Sequence, residues 1–352
     1  MSNALDFVPK TWDQYWGNDE ARVILQRAIA NNNHPPAITL SGSSGTGKTT
    51  LATLYIKSTL CKNRKDGDFN PCGYCSSCKN DPRTVGQSGG VTWVQQGQNE
   101  TINSRINSAI DDAHQPPMGL SEEHTHYKFV VIDELQSVPK NQIHRLLFFP
   151  ELSDIQKKNK VIFIFITMDE DAIDPGVMKP LADRSTYLPF PSPTNTEVFE
   201  FLKSVRPDIS LESLAIFAAT AKGSYRSALS HIDTAERYDP SLDSEVVARL
   251  MRYADAKSRT ILWKAIRRGN FKELYSYWNI LIKRVDPIDL IGLLSLDIEH
   301  AMLAEQNEAQ IVANELIYSF LVSKAKARPF DLLKVLIKKP ILDPDKVYDD
   351  FV

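Results

Sequence analysis

Gly42-Ser43-Ser44-Gly45-Thr46-Gly47-Lys48-Thr49 fits a phosphate-binding P-loop at every defined position. The glycines let the backbone fold tightly enough to aim several N–H groups at phosphate oxygens, and the helix that follows adds the positive end of its dipole. Such a loop must therefore lie between a strand and a helix. The flanks agree: Ala37-Ile38-Thr39-Leu40 reads as a strand running into the loop, and Lys48 to Leu60 as the helix after it. A chance Gly/Ser/Thr turn would need neither flank. Lys48 is placed to reach the β- and γ-phosphates, and the Thr49 hydroxyl to bind Mg²⁺. Gly42, Gly45, Thr46, Gly47, Lys48, Thr49 and Thr50 are the candidate nucleotide-binding residues.

The first half of the chain alternates short apolar runs with helical patterns, which is how a parallel α/β sheet reads. Ala21 to Ala30 carries apolar residues at helical spacing, Val91-Thr92-Trp93-Val94 is strand-like, and Thr101 to Ala113 is helical, ending before Pro116-Pro117. Phe129-Val130-Val131-Ile132 and Val161 to Ile166 are continuous apolar runs, as expected of central strands covered on both faces. Tyr187-Leu188-Pro189-Phe190 is a fifth candidate whose proline suits a sheet edge. Pro191-Ser192-Pro193-Thr194 marks a boundary, with no convincing strand beyond it. Glu197 to Ser204, Leu211 to Ala219 and Ser224 to Tyr238 read as three helices, and amphipathic helices continue after Pro240. The expected organisation is an α/β module over 1–190, a small helical module over 191–242 and a helical domain over 243–352.

Two or three domains suit a chain of 352 residues. The longest apolar runs are strand-sized and too short to span a bilayer, and the opening MSNALDFVPK has neither the basic start nor the apolar stretch of a signal peptide. The expectation is a cytoplasmic protein with no membrane partner. With 41 basic against 44 acidic residues, net charge does not itself predict nucleic-acid binding. Any DNA contact has to come from a local patch or from helix N-termini.

Cys61, Cys72, Cys75 and Cys78 are the only cysteines. They sit too close together to staple distant parts of the chain, and in a reducing compartment such a cluster points to a metal rather than to two disulfides. Four thiolates match tetrahedral Zn²⁺; an iron–sulfur cluster is the main rival. No open catalytic position is offered, so the ion is expected to be structural, in a module inserted at about 59–83. Lys62, Arg64, Lys65, Lys79 and Arg83 offset the thiolate charge.

Asp133-Glu134 directly follows the strand ending at Ile132. Ligands of parallel sheets lie at the carboxyl ends of strands, so both acids should face the P-loop. Asp133 would hold the Mg²⁺ shell and Glu134 would orient or deprotonate the attacking water. Arg226 follows Gly223-Ser224, a helix start with Ser224 as N-cap, and sits off the apolar stripe of Tyr225, Ala228, Leu229 and Ile232. A cation in a first turn opposes the helix dipole by about 0.3–1 kcal/mol. It is either a solvated arginine bearing that small cost or one kept there for an anion.

Together these residues resemble the ATPase subunits of sliding-clamp loaders, AAA+ proteins closest in pattern to the bacterial gamma/tau subunit, which carries a four-cysteine zinc module just after the P-loop helix. The resemblance runs from about Pro9 to about Ala235. Pro9-Lys10-Thr11-Trp12 followed by Trp16-Gly17-Asn18-Asp19-Glu20 resembles the family's N-terminal segment, which lines the adenine pocket, and Ala221 to Ser230 resembles its sensor-2 helix, making Arg226 the sensor-2 arginine. The fold implied is an AAA+ core, a helical lid and a helical oligomerisation collar. Three departures stand out. The family's Ser-Arg-Cys triplet is here Asp183-Arg184-Ser185, so Arg184 becomes the arginine that reaches a neighbouring subunit's ATP. The sensor-1 position falls at Thr167 or Met168, of which only Thr167 can hydrogen-bond a phosphate or water. The cysteine spacing is looser than usual, and the long extension of a tau-type subunit is not seen. A divergent member of the family, such as a phage-encoded one, fits these features.

The resemblance implies a motor subunit that uses ATP, Mg²⁺ and a zinc module. It would assemble with other loader subunits into a homo- or hetero-oligomer, in this family a pentamer, and open a sliding clamp on primer–template DNA. Duplex contacts would go mainly to phosphates from helix N-termini, with Thr101, Asn103, Ser104 and Arg105 as candidates. The rivals are another AAA+ DNA motor, such as a branch-migration helicase or helicase loader, and a non-hydrolysing scaffold subunit. The intact Lys48, Thr49 and Glu134 speak against the scaffold.

Overall fold

The computed structural model describes residues 7–304 apart from 66, 85–89, 96–101, 115–126, 152–159, 169–172, 255, 269 and 284. A five-stranded, wholly parallel sheet is formed by β1 (Ala37–Gly42), β2 (Val91–Val94), β3 (Lys128–Ile132), β4 (Val161–Thr167) and β5 (Thr186–Phe190), in the order β2-β3-β4-β1-β5. The P-loop strand therefore lies between β4 and β5, and the strand ending in the acidic pair is one further along. Pro189 is on β5, an edge strand, and is exposed, where its missing N–H costs no ladder bond.

Alternation along the buried strands divides the sheet into two faces. Phe129, Val131, Ile162 and Ile164 pack with Leu25, Ile29, Leu51 and Tyr55 from α1 (Asp19–Ala30) and α2 (Lys48–Thr59). Val130, Ile132, Phe163 and Phe165 pack on the other face with Ile106 and Ile110 of α3 (Ile102–His114), Ile143 of α4 (Lys140–Glu151) and Leu181 of α5 (Pro175–Arg184). Apolar residues on both faces explain why β3 and β4 read as unbroken apolar runs. The two helices α4 and α5 were not singled out in the sequence. Pro175, Gly176 and Pro180 obscure α5, yet Asp174 caps it by accepting from Gly176 N at 2.7 Å, and Pro175 occupies its first turn, where no N–H is needed.

The chain divides into two compact units, Met1–Pro207 with Ala221–Asp233, and Asp208–Thr220 with Thr234–Val352. The first contains the sheet and α6 (Asn195–Val205), which begins with a capping box between Thr194 and Glu197. The start of α8 (Tyr225–Tyr238) goes with the sheet because Tyr225 N donates to Gly45 O at 3.1 Å, while α7 (Leu211–Thr220) groups with the later helices. The described part of the second unit is helical and is organised by Leu262, Trp263, Leu274, Trp278, Leu290 and Leu294. There the Arg259 guanidinium pairs with Asp297 at 2.9 Å, and Trp263 Nε1 donates to the same carboxylate at 3.1 Å. Among the described residues no helix is long and apolar enough to cross a membrane.

Candidate nucleotide site and cysteine cluster

The loop between β1 and α2 turns on three glycines in the left-handed region or beyond it, Gly42 at φ 147°, Gly45 at 80° and Gly47 at 98°. A Cβ at Gly42 would lie 2.0 Å from Phe190 O, one at Gly45 2.0 Å from Ser224 Oγ, and one at Gly47 2.9 Å from the Tyr15 hydroxyl. Glycine is thus required twice over, by conformation and by the closeness of three other segments. Thr46 Oγ1 donates to Ser43 O at 3.0 Å, and the buried Lys48 reaches back across the loop, its Nζ donating to Gly42 O and Ser43 O, both at 2.6 Å. Burial pushes the Lys48 ammonium down to about 8, with nearby Asp133 favouring the charged form and Arg226 opposing it. Thr49 and Thr50 are half-buried in the first turn of α2.

Asp133 stands at the carboxyl end of β3, with its N–H on Val94 O at 2.8 Å. Burial raises its carboxyl; the Glu134 N–H, 3.0 Å from Oδ1, acts against that, and the Glu134 charge adds to it. Glu134 itself adopts φ 58°, ψ 51°, a left-handed conformation unusual for a glutamate. Its carbonyl accepts from Ser137 N at 2.8 Å and Ser137 Oγ at 2.7 Å, which holds the turn. Thr167 ends the neighbouring strand β4, fully buried, and its hydroxyl donates to Gln136 Oε1 at 3.2 Å. In the sequence Gln136 carries no signal beyond its position two residues past the acidic pair.

Arg226 is brought to the loop. Ser224 Oγ caps α8 by accepting from Ser227 N at 3.1 Å, and a Cβ at Gly45 would sit 3.5 Å from Arg226 Cβ. The arginine is exposed, in the first turn, beside the phosphate loop. Arg184 is the last residue of α5, exposed, with NH1 donating to Pro180 O at 3.2 Å. Of the DNA-contact candidates, Thr101 lies outside the described residues, and Asn103 and Ser104 are exposed at the start of α3. The Arg105 guanidinium donates to Gln95 O at 2.7 Å and Trp93 O at 2.9 Å, so two of its nitrogens hold the end of β2.

The four cysteine sulfurs lie within 4.8 Å of one another. Cys72 and Cys78 are 3.8 Å apart and Cys75 and Cys78 3.4 Å, and all four are free thiols rather than disulfides. Sulfurs about 2.3 Å from a central ion in a tetrahedron are about 3.8 Å apart, so the donor set fits. Cys72 N donates to Cys61 Sγ at 3.2 Å and Cys75 N to Cys72 Sγ at 3.3 Å, bonds that favour thiolate. Burial pushes the Cys61 and Cys78 thiols up; at Cys72 burial is outweighed by the N–H groups of Tyr74 and Cys75, and its thiol falls to about 6. The module is tied to its surroundings by Arg64, which donates to Ser58 O at 3.0 Å, and by Asn70, whose Oδ1 accepts from Trp12 N at 3.1 Å. Trp12 is fully buried, with its indole N–H on Ser58 Oγ at 2.9 Å.

With this geometry established, comparisons place the chain among known proteins. A family profile described as "DNA polymerase III, delta subunit" matches residues 17–178. Protein STICHEL of Arabidopsis thaliana is 25% identical over 292 residues, 82% of this chain and 23% of that protein. The DNA polymerase III subunit gamma of Buchnera aphidicola is 28% identical over 200 residues, 56% of this chain and 50% of that protein. The chain thus spans between 23% and 50% of the length of these relatives. Among solved structures, the Thermotoga maritima RuvB Holliday junction branch migration motor aligns with a TM-score of 0.45 at 17% identity, covering 74% of this chain and 80% of that one.

The contact between the loop and the start of α8 can be tested by substitution. Gly45→Ala should lower unfolding stability in chemical denaturation by about 1–3 kcal/mol more than Gly67→Ala. Gly67 has a similar φ of 78°, but nothing lies within 4 Å of its Cβ position. Equal costs would mean that Ser224 does not press on the loop.

Proposed function

We propose that this relative of the DNA polymerase III gamma and tau subunits is an ATP-hydrolysing AAA+ subunit of a sliding-clamp loader. The observation that carries the reading is the convergence on the P-loop of the start of α8, through the Tyr225 N to Gly45 O bond of 3.1 Å, and of the end of β3, whose Asp133 carboxylate acts on the Lys48 ammonium. Lysine, paired carboxylates and an arginine then surround one loop of backbone N–H groups, a set suited to phosphoryl transfer to water. Similarity alone reaches proteins with other names, so the site has to bear the enzymatic part of the proposal.

In this reading the loop from Gly42 to Thr50 cradles the phosphates, and Lys48 leaves its carbonyl partners for the β- and γ-phosphates. Thr49 and Asp133 hold Mg²⁺, which neutralises charge on the phosphate oxygens. Burial and the Glu134 charge raise the Asp133 carboxyl, and a divalent cation held there would favour its charged form. Glu134 takes the water's proton, Thr167 contacts water or phosphate, and Arg226 meets the γ-phosphate from the lid. Arg184, exposed at the end of its helix, serves a neighbouring subunit's ATP. Zn²⁺ holds the four cysteines as a structural module, residues 191–242 act as lid, and 243–352 as oligomerisation collar. The partners are other loader subunits, a sliding clamp and primer–template DNA.

ATP turnover of the assembled complex should rise roughly tenfold, about 1.4 kcal/mol of barrier, only when primed DNA and the cognate clamp are both present. Glu134→Gln should cut turnover about a hundredfold or more while ATP still binds. Turnover indifferent to the clamp would remove clamp loading, and absence of turnover in the assembled complex would favour the scaffold role. Elemental analysis should find a single zinc per chain, lost in Cys72→Ser; an iron-containing preparation would overturn that assignment.

A further inference from the structure

Gln136 lies two residues beyond Glu134, in the 3-10 turn Leu135–Ser137, and its side chain crosses to the neighbouring strand. Its Oε1 accepts from Met168 N at 3.3 Å and from Thr167 Oγ1 at 3.2 Å. A backbone N–H can only donate, so the atom facing Met168 must be the carboxamide oxygen, and the direction of both bonds follows. The carboxamide therefore bridges two strand ends. One end, β3, continues into Asp133 and Glu134; the other, β4, terminates in Thr167.

Other contacts among the described residues also hold the turn that carries Glu134. Leu135 is fully buried and fixes the turn to the core, and Ser137 closes the turn on Glu134 O. Leu135 packs in the cluster that contains Phe163 and Phe165 of β4, an apolar contact without direction, and the Ser137 bonds stay within the turn. Gln136 adds a directional polar restraint aimed at the end of β4. Glu134 is also held at φ 58°, where a glutamate has no intrinsic reason to remain.

We propose that Gln136 is a positioning residue for hydrolysis, coupling the Glu134 turn to the Thr167 end of β4 so that the carboxylate and the hydroxyl keep one spacing around the attacking water. The inference rests on the ATPase reading above. It assigns Gln136 no contact with nucleotide, so removing it should leave binding intact. An error of about 1 Å in placing a reacting group can cost on the order of a hundredfold in rate.

The test uses Gln136→Met, which keeps the length of the side chain without the acceptor, alongside Gln136→Ala, with single-turnover ATP hydrolysis, ATP affinity and thermal midpoint measured in the assembled complex. The expected result is a rate lowered about tenfold to a hundredfold, with affinity within about twofold and a near-normal midpoint. In a Glu134→Gln background the same substitutions should change the residual rate by less than about twofold, because a residue acting through Glu134 has nothing left to position. Wild-type rates in both variants would overturn the inference, as would full multiplicativity with Glu134→Gln. Parallel losses of affinity and thermal midpoint would make Gln136 a fold-stabilising residue and overturn it too. A wild-type complex that hydrolyses no ATP would instead sink the ATPase reading, and this inference with it.

Discussion

The close approach of three segments to the P-loop backbone governs the rest of the site. Phe190 O, the Tyr15 hydroxyl and Ser224 Oγ each occupy space that a side chain on the loop would need. The edge strand, the N-terminal segment and the start of α8 can all reach the loop because Gly42, Gly45 and Gly47 leave it bare. Positive φ angles such as those that admit these neighbours are also what lets successive N–H groups of a loop converge on an anion. Packing and ligand geometry are therefore not separate demands on these glycines. Arg226 follows as a consequence: with Tyr225 N bonded to Gly45 O, the next residue has to emerge beside the loop.

The cysteine cluster gains a physical context from its ties. Asn70, between Cys61 and Cys72, receives the Trp12 N–H, and Trp12 donates in turn to Ser58 near the end of the P-loop helix. Three residues after Trp12, Tyr15 lies against Gly47. The cysteine loop is thus linked through Trp12 to the segment that borders the P-loop at Gly47, and an ion held by the four sulfurs would stiffen that link. A structural ion suits that arrangement, since its value lies in fixing the loop that presents Asn70 rather than in any chemistry of its own.

Much of this was legible along the chain because the information is local. The strand at Val91–Val94 and the helix from Lys48 follow from runs of adjacent residues, and the P-loop and Asp133-Glu134 are contiguous. Lys128 stands just outside the apolar run Phe129–Ile132 because lysine reads as polar; in the fold it belongs to β3, is buried, and its ammonium pairs with Asp112 Oδ1 at 3.0 Å. What could not be read are pairings between distant residues. Ser224 against Gly45, Arg105 on the carbonyls of Trp93 and Gln95, and the Gln136 bridge to Thr167 all depend on topology.

The central claim is that one loop, completed by residues from β3 and α8, forms a single ATP–Mg²⁺ site. Equilibrium titration of the purified chain with ATP and Mg²⁺, wild type against Lys48→Ala, tests it most directly. One saturable site should be found, weakened about tenfold or more by the substitution, a loss of about 1.4 kcal/mol or greater. Binding of equal strength in both proteins would show that the nucleotide, if held at all, is held elsewhere.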